Sequence, residues 1–501
     1  MSFFFIKKLY RNNELLFWSF LFSLVFLSAG ILFPQSLIGG LNSLNTSLLS
    51  IFSSYYLVLG LLIVLLALGI LISPLRKKRL GEAKPEYSGF SWIALLYSTG
   101  MGSGLLLRAV QEPVYYFNNP PVLSENASQM ALQYNYFHWG FTPWAFYSVF
   151  GLIVAYNLYV KKAPDFLHAI LPGVKTKWLS TIAQVLTIFI TITGVIASLG
   201  LGTGQFIGGI NEYFQLKLDS SYLVWTALLI GIAATLSALT GIQKVIKILA
   251  DFDMIASIAL MVFIGLFLNF VPFIRNTSLA FFKYVFHFFE MSLSIGAFKT
   301  TPLFLKEWTV FYWAFWLAWV PFTGIFIARI SKGRTIRDFI IATILVPTLA
   351  TIIWFSVFAN HGFEIIKSEN IHQFDNVFTS LFVFLQHFPF STLTVMLAIV
   401  LVLIAIINSV DSAIFVLGMF SDRGQENPSM VHKSCWGIII TAMAVGITSV
   451  GTSELLNAIS NLLIIMSLPF SFLYLFVIFT FLRSITKTYS STKVSTTVNS
   501  K

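Results

Sequence analysis

The chain has 501 residues, is 57% hydrophobic and only 10% charged, and carries a formal net charge of +11. A water-soluble protein would have about a quarter of its residues charged, so the composition excludes a soluble globular protein. Cys435 is the single cysteine, which leaves no intramolecular disulfide and no cysteine-based metal cluster.

In chain order, residues 1–16 read as a cytoplasmic N-terminus without a signal-peptide cleavage pattern. Apolar runs then recur, each long enough to cross a bilayer core of roughly 30 Å as a helix. Twelve spans are predicted near 17–36, 52–73, 90–112, 134–160, 180–207, 222–241, 249–272, 308–329, 339–359, 391–419, 434–453 and 457–482. The whole of 17–482 reads as one transmembrane domain. It holds two N-terminal helices within 17–73, a first repeat over 90–272 and a second over 308–482. The loop 161–179 and the segment 277–295 are too mixed to span and read as helices lying along the membrane surface. The polar tail 484–501 is expected to be short, cytoplasmic and disordered.

The positive charge is not a nucleic-acid footprint. With the N-terminus inside, 24 Lys and Arg fall on the cytoplasmic side, 6 fall outside, and Arg108 lies within a span. That asymmetry sets the orientation of a multi-pass plasma-membrane protein with both termini cytoplasmic.

Two spans carry breaks. The third contains GMGSG (100–104) and the eighth contains PFTG (321–324). Three glycines in five residues weaken a helix by roughly 1 kcal/mol each relative to alanine. Gly100 and Gly104 also fit a GxxxG packing face. Breaks in two spans of opposite direction, five apart, match inverted repeats whose unwound backbone lines a binding site at mid-membrane. The eighth span is also unusually aromatic, FYWAFWLAWVPF over 311–322. At 100° per residue, Tyr312, Phe315, Trp316 and Trp319 share one face of a helix. A second cluster, HWGFTPWAFY (138–147), presents Trp139, Trp144 and Tyr147 and is expected to kink at Pro143. Such rings often just fill a core. A box of ring faces, however, suits a cation that can make no hydrogen bond, namely a quaternary ammonium group.

The stretch FYWAFWLAWVPFTGIFIARISKGRTIRDF (311–339) resembles the signature of the betaine/carnitine/choline transporter family. STGMGSGLLL with the following EP (98–113), HWGFTPWAFY and NSVDSA (408–413) resemble its other motifs, in order. The resemblance covers essentially all spans. It implies an all-α integral membrane protein of twelve helices: a LeuT-like 5+5 inverted-repeat core in spans 3–12, plus two extra N-terminal helices. It further implies a homotrimer with the 277–295 helix at the contact. Matched residue by residue, the aromatic box falls on Trp139, Trp144, Tyr147, Phe315, Trp316 and Trp319, with Gly102 and Gly104 of the broken span beside it. Phe315 departs from the family's usual tryptophan. A sodium site would use backbone carbonyls of Ser98 and Met101 with Asn408 and Ser409. Asn408 replaces a threonine and brings an NH₂ group to the site. Gly104 stands where choline-transporting members often carry an acid, which favours a zwitterion.

Arg108 is a charged group at membrane depth, a functional position by default. It either pairs with Glu112 four residues on or gates the outer vestibule, at an offset like the gating arginine of the related neurotransmitter symporters. The tail lacks the long basic helix of osmotically regulated members, so no strong osmotic activation is expected.

The expected function is secondary active transport of a glycine betaine- or carnitine-like zwitterion, with Na⁺ as coupling ion and no cofactor. Proton-coupled choline or betaine uptake, with Asp411 the nearest acid, and sodium-independent exchange are the alternatives. A channel or a membrane enzyme is more distant. The polar span residues His138, Glu112, Asp251, Asp253 and Asp411 form no nucleophile–base or metal set. The partners expected are the small substrate and membrane lipid, with no nucleic acid.

Overall fold

The structure, a computed structural model, describes residues 14–498 apart from 102–103, 165, 172–175, 241–244, 370–371, 423, 426 and 450. Among the described residues the regular elements are helices, and the one β feature is an isolated antiparallel bridge between Arg79 and Thr335. Ten described helices are long and apolar enough to cross a membrane. The first expected span is a shorter apolar helix, Leu16–Leu32, and the third is divided.

The helices used below are α1 (Glu14–Leu32), α2 (Pro34–Ile72), α3 (Gly89–Met101), α4 (Gly104–Arg108), α5 (Gln111–Asn118), α6 (Ala127–Trp139), α7 (Phe141–Ala155), α8 (Lys177–Phe214), α9 (Ser220–Thr240), α10 (Lys247–Gly265), α11 (Phe270–Phe286), α12 (Phe311–Ile330), α13 (Val346–Ser368), α14 (Ser391–Ser421), α15 (Met430–Thr448) and α16 (Thr452–Val498).

At the centre lies α12, buried along its length except at Arg329. It crosses α7 where Gly151 meets Gly324. A Cβ on Gly151 would stand 2.8 Å from the Gly324 carbonyl oxygen. On its other side, a Cβ on Gly194 of α8 would stand 2.9 Å from the Ala318 oxygen. In lipid, where apolar side chains gain little by leaving the solvent, close backbone approach at small residues is a main source of helix association.

That use of Gly324 corrects one expectation. The eighth span does not break at PFTG, because α12 runs unbroken through Pro321. Its irregularity comes earlier, as a π-helical turn over Leu305–Val310. In the third span α3 ends at Met101 and α4 begins at Gly104, and residues 102–103, including Gly102, lie outside the described residues. A turn at 109–110 then separates α4 from α5.

The fourth span breaks one turn earlier than expected. The interruption is at Gly140, whose ψ of −123° leaves the helix. A Cβ there would meet the Tyr136 oxygen at 2.4 Å and the Tyr284 hydroxyl at 2.8 Å. The Phe141 N–H donates to that hydroxyl at 2.9 Å, so a side chain from α11 caps α7. Pro143 sits in the first turn of α7, where its missing N–H is not needed, and so causes no kink of its own.

Two segments outside the expected spans are helical. Residues 37–51, between the first two expected spans, form the first part of the 39-residue α2. Their polar side chains found partners: Asn45 bonds to Asn461, and Asn461 to Asn42. Residues 484–498, expected to be disordered, continue α16. No glycine or proline follows Pro469 to break it.

Candidate functional site

The break at Gly140 decides the site's geometry. It lets the last residue of α6 and the first turns of α7 both face α12. Trp139, Trp144, Tyr147, Phe315, Trp316 and Trp319 are all buried, and ring contacts link them into one cluster. Trp316 is its hub. Its ring centroid lies 5.0 Å from that of Trp139, 6.4 Å from Tyr147 and 4.9 Å from Phe315. Trp144 joins through Tyr147 at 5.8 Å, and Trp319 through Phe315 at 5.8 Å. The broken third span touches the same cluster. A Cβ on Gly104 would stand 3.2 Å from the outer edge of the Trp139 ring.

Gly104, Arg108, Trp139, Phe315 and Trp319 line a cavity with Ser198 of α8, but it holds only about 20 Å³. That is room for about one or two waters. The rings must part for anything the size of a trimethylammonium group to enter. Three polar atoms of the cluster, Trp144 Nε1, Trp319 Nε1 and the Tyr147 hydroxyl, make no hydrogen bond among the described residues. Buried donors of this kind are rare.

The other half of the cluster is fixed from behind by Glu112. Its carboxylate is fully buried on α5. Trp139 Nε1 donates to its two oxygens at 3.1 and 3.0 Å, Asn135 Nδ2 donates at 3.1 Å, and the Tyr312 hydroxyl donates to Oε2. Tyr312 in turn stacks on Trp316, centroids 5.8 Å apart and planes 19° from parallel. Trp316 Nε1 donates to the His138 carbonyl at 3.0 Å. The imidazole of His138 bridges the Tyr116 hydroxyl (2.8 Å) and Thr309 (3.0 Å). Sequence reasoning placed Glu112 with Arg108 and missed this role. The signal was present: a carboxylate in an apolar stretch needs buried donors, and QYNYFHW (133–139) supplies them.

Arg108 makes no direct ion pair with Glu112 among the described residues, although its charge lies near enough to act on the buried carboxylate. The turn at 109–110 ends the helix, so the two do not share a face as residues four apart on one helix would. Arg108 Nη1 donates to Gln111 Oε1 at 2.6 Å, and its guanidinium stands 5.4 Å from the Trp308 ring centroid. It lines both the small inner cavity and an open vestibule of about 550 Å³ bordered by Asn42, Glu307, Phe311 and Asn461. It lies between the two. If Arg108 gates the vestibule, the double change Arg108→Leu with Glu112→Leu is expected to fail in uptake, as each single change should. Wild-type uptake by the double variant would leave Arg108 a partner of Glu112 after all.

The expected ion site is described only in part. The side chains of Ser98 and Met101 lie outside the described residues. Asn408 is buried on α14 with neither amide atom hydrogen-bonded among the described residues. The Ser409 hydroxyl donates to the Ala405 carbonyl at 2.9 Å. Three residues past Asn408, Asp411 accepts from Ser237 of α9.

A profile described as betaine/carnitine/choline family transporter matches residues 14–490. The chain belongs to the betaine/carnitine/choline transporter family. It is similar to the glycine betaine transporter OpuD of Bacillus subtilis, 35% identical over 478 residues and 91% of each chain. A probable glycine betaine transporter of Desulfitobacterium hafniense is 32% identical, covering 95% of this chain and 98% of its own. An ectoine/hydroxyectoine transporter of Virgibacillus pantothenticus is 32% identical over 87% of this chain and 89% of its own. Membership of this family makes the chain a multi-pass transporter of the cell membrane and not an enzyme. All six rings of the cluster lie within the matched residues.

Proposed function

We propose that the protein is a secondary active transporter for a zwitterion with a quaternary ammonium group, glycine betaine or a close analogue. The observation that carries this reading is the six-ring cluster on α6, α7 and α12, set against Gly104 of the divided span. Ring faces attract the cation at about 0.5–2 kcal/mol per contact. The unpartnered donors of Trp144, Tyr147 and Trp319 can serve the carboxylate. Two of the relatives are named for glycine betaine and one for ectoine; each of these compounds joins a charge-delocalised or quaternary cation to a carboxylate.

The reading includes alternating access in a LeuT-like core of spans 3–12 within 17–482, with two helices before it and both termini cytoplasmic. It includes a homotrimer joined through α11, whose Phe282 and Phe286 are exposed. It includes sodium symport through Asn408, Ser409 and the backbone of Ser98 and Met101. The two unsatisfied amide atoms of Asn408 support a polar ligand there, since an orphaned buried group costs about 1–3 kcal/mol.

Uptake of labelled glycine betaine into proteoliposomes tests the whole reading. Saturable uptake driven by an inward sodium gradient is expected, and Asn408→Thr should lower the sodium concentration for half-maximal uptake. Uptake indifferent to sodium but driven by a pH gradient would move coupling to Asp411. Uptake only into vesicles preloaded with substrate would make the protein an exchanger. No uptake in any arm would overturn the substrate assignment.

A further inference from the structure

A further cavity, of about 250 Å³, lies between α3, α10 and α13. Its cause is legible in the residues. Ser257, Ala342 and Ala350 are small and Pro347 is short, so the walls they form cannot fill the space between helices. The rest of the lining is apolar, with Leu96, Met254 and Met261 among it. Even an apolar cavity of ~150 Å³ stays dry and takes up benzene; this one is larger and its polar groups are few.

The mouth of the cavity says what fills it. Ile258 and Ile353 line it and are 46% and 47% exposed. On the same two helices Ile255, Val262 and Leu349 are exposed as well. Both helices belong to apolar segments able to span the membrane, and little of α10 is buried inside the protein. Large apolar side chains exposed at that depth face hydrocarbon, not water. At one end the side walls are tied together: Ser91 of α3 bonds to Asp251 of α10, which Lys247 also holds at 2.6 Å.

The geometry points to a binding site for one acyl chain of a bilayer phospholipid, inserted between α10 and α13 and reaching Tyr97. A hydrocarbon chain gains dispersion contacts with walls that otherwise lack partners, and the bilayer presents such chains at the mouth. The Tyr97 ring stacks on Trp144, centroids 6.1 Å apart and planes 15° from parallel. The end of the chain is therefore one ring removed from the candidate substrate cluster. The inference rests on the membrane placement and does not need the substrate assignment.

The test is photolabelling of the full chain in liposomes containing a phospholipid with a diazirine midway along one acyl chain. Labelled peptides are mapped by mass spectrometry. Adducts at Tyr97, Met254 and Met261 are expected. Ser257→Trp and Ala350→Trp, which fill the cavity from opposite walls, should each reduce those adducts at least fivefold. Adducts on the outer face of α10, at Ile255 and Val262, should stay at the wild-type level, which shows that a variant is folded in the bilayer. If one variant does not fold, the other decides. No adducts inside the cavity, or adducts undiminished by filling it, would overturn the site. Because no substrate is added, failed betaine uptake would not touch this result.

Discussion

Glu112→Gln is expected to raise the substrate concentration for half-maximal uptake about tenfold, with nearly normal amounts of folded protein in the membrane. Glutamine keeps the size of the side chain but replaces one acceptor oxygen with a donor. The carboxylate now accepts from Trp139 and Asn135 on one oxygen, and from Trp139 and Tyr312 on the other. Only the Tyr312 hydroxyl can turn its proton away and accept instead, so the new NH₂ group should face Tyr312. One charge-assisted bond and part of another are lost. Hydrogen bonds to charged groups contribute about 1.5–3 kcal/mol, and about 1.4 kcal/mol is a factor of ten in affinity. The loss falls on Trp139 and Tyr312, whose rings border Trp316. Glu112→Ala strands all three donors and should cost stability as well. Uptake kinetics, paired with thermal stability in detergent, check this. Wild-type half-saturation in a folded Gln variant would reduce Glu112 to a packing role.

The membrane class, most of the spans and the ring cluster were legible in the sequence because each rests on a repeated pattern. Hydropathy marks spans, and aromatic residues at helical spacing mark a shared face. What was not legible depends on contacts between distant segments. Gly140 carries the break of the fourth span because α11 places Tyr284 against it, and no local signal distinguishes it from Pro143. PFTG reads as a break, yet Gly324 serves the crossing with Gly151, a pairing between residues far apart in sequence. Asn42 and Asn45 look like loop residues until Asn461 is seen beside them. In each of these cases local propensity suggested one structure and a tertiary partner selected another. Arg108 and Glu112 differ: they sit at the spacing of an ion pair, and a local turn at 109–110 takes them off a shared face.

Trp319→Ala is expected to abolish uptake at any practical substrate concentration while leaving the protein folded and its oligomeric state unchanged. The structure separates Trp319 from Trp316 in this respect. Trp316 donates to the His138 carbonyl and stacks on Tyr312, so Trp316→Ala also strands a backbone acceptor and should lose both uptake and thermal stability. Trp319 Nε1 makes no hydrogen bond among the described residues. Its ring edge rests against α8, where a Cβ on Gly194 would stand 3.2 Å from Trp319 Cδ1. Removing it takes away one face of the proposed cation cage, worth up to ~2 kcal/mol where water is excluded, together with a donor to the carboxylate. The two losses together amount to more than a hundredfold in affinity at about 1.4 kcal/mol per factor of ten. Trp319→Phe keeps a weaker ring and loses the donor, so it should transport with half-saturation raised roughly tenfold on the same scale. The graded order, wild type above Phe above Ala, is what a ligand-facing ring gives. Normal uptake by the Ala variant with a lowered melting temperature is what a packing ring gives, and that result would remove Trp319 from the site.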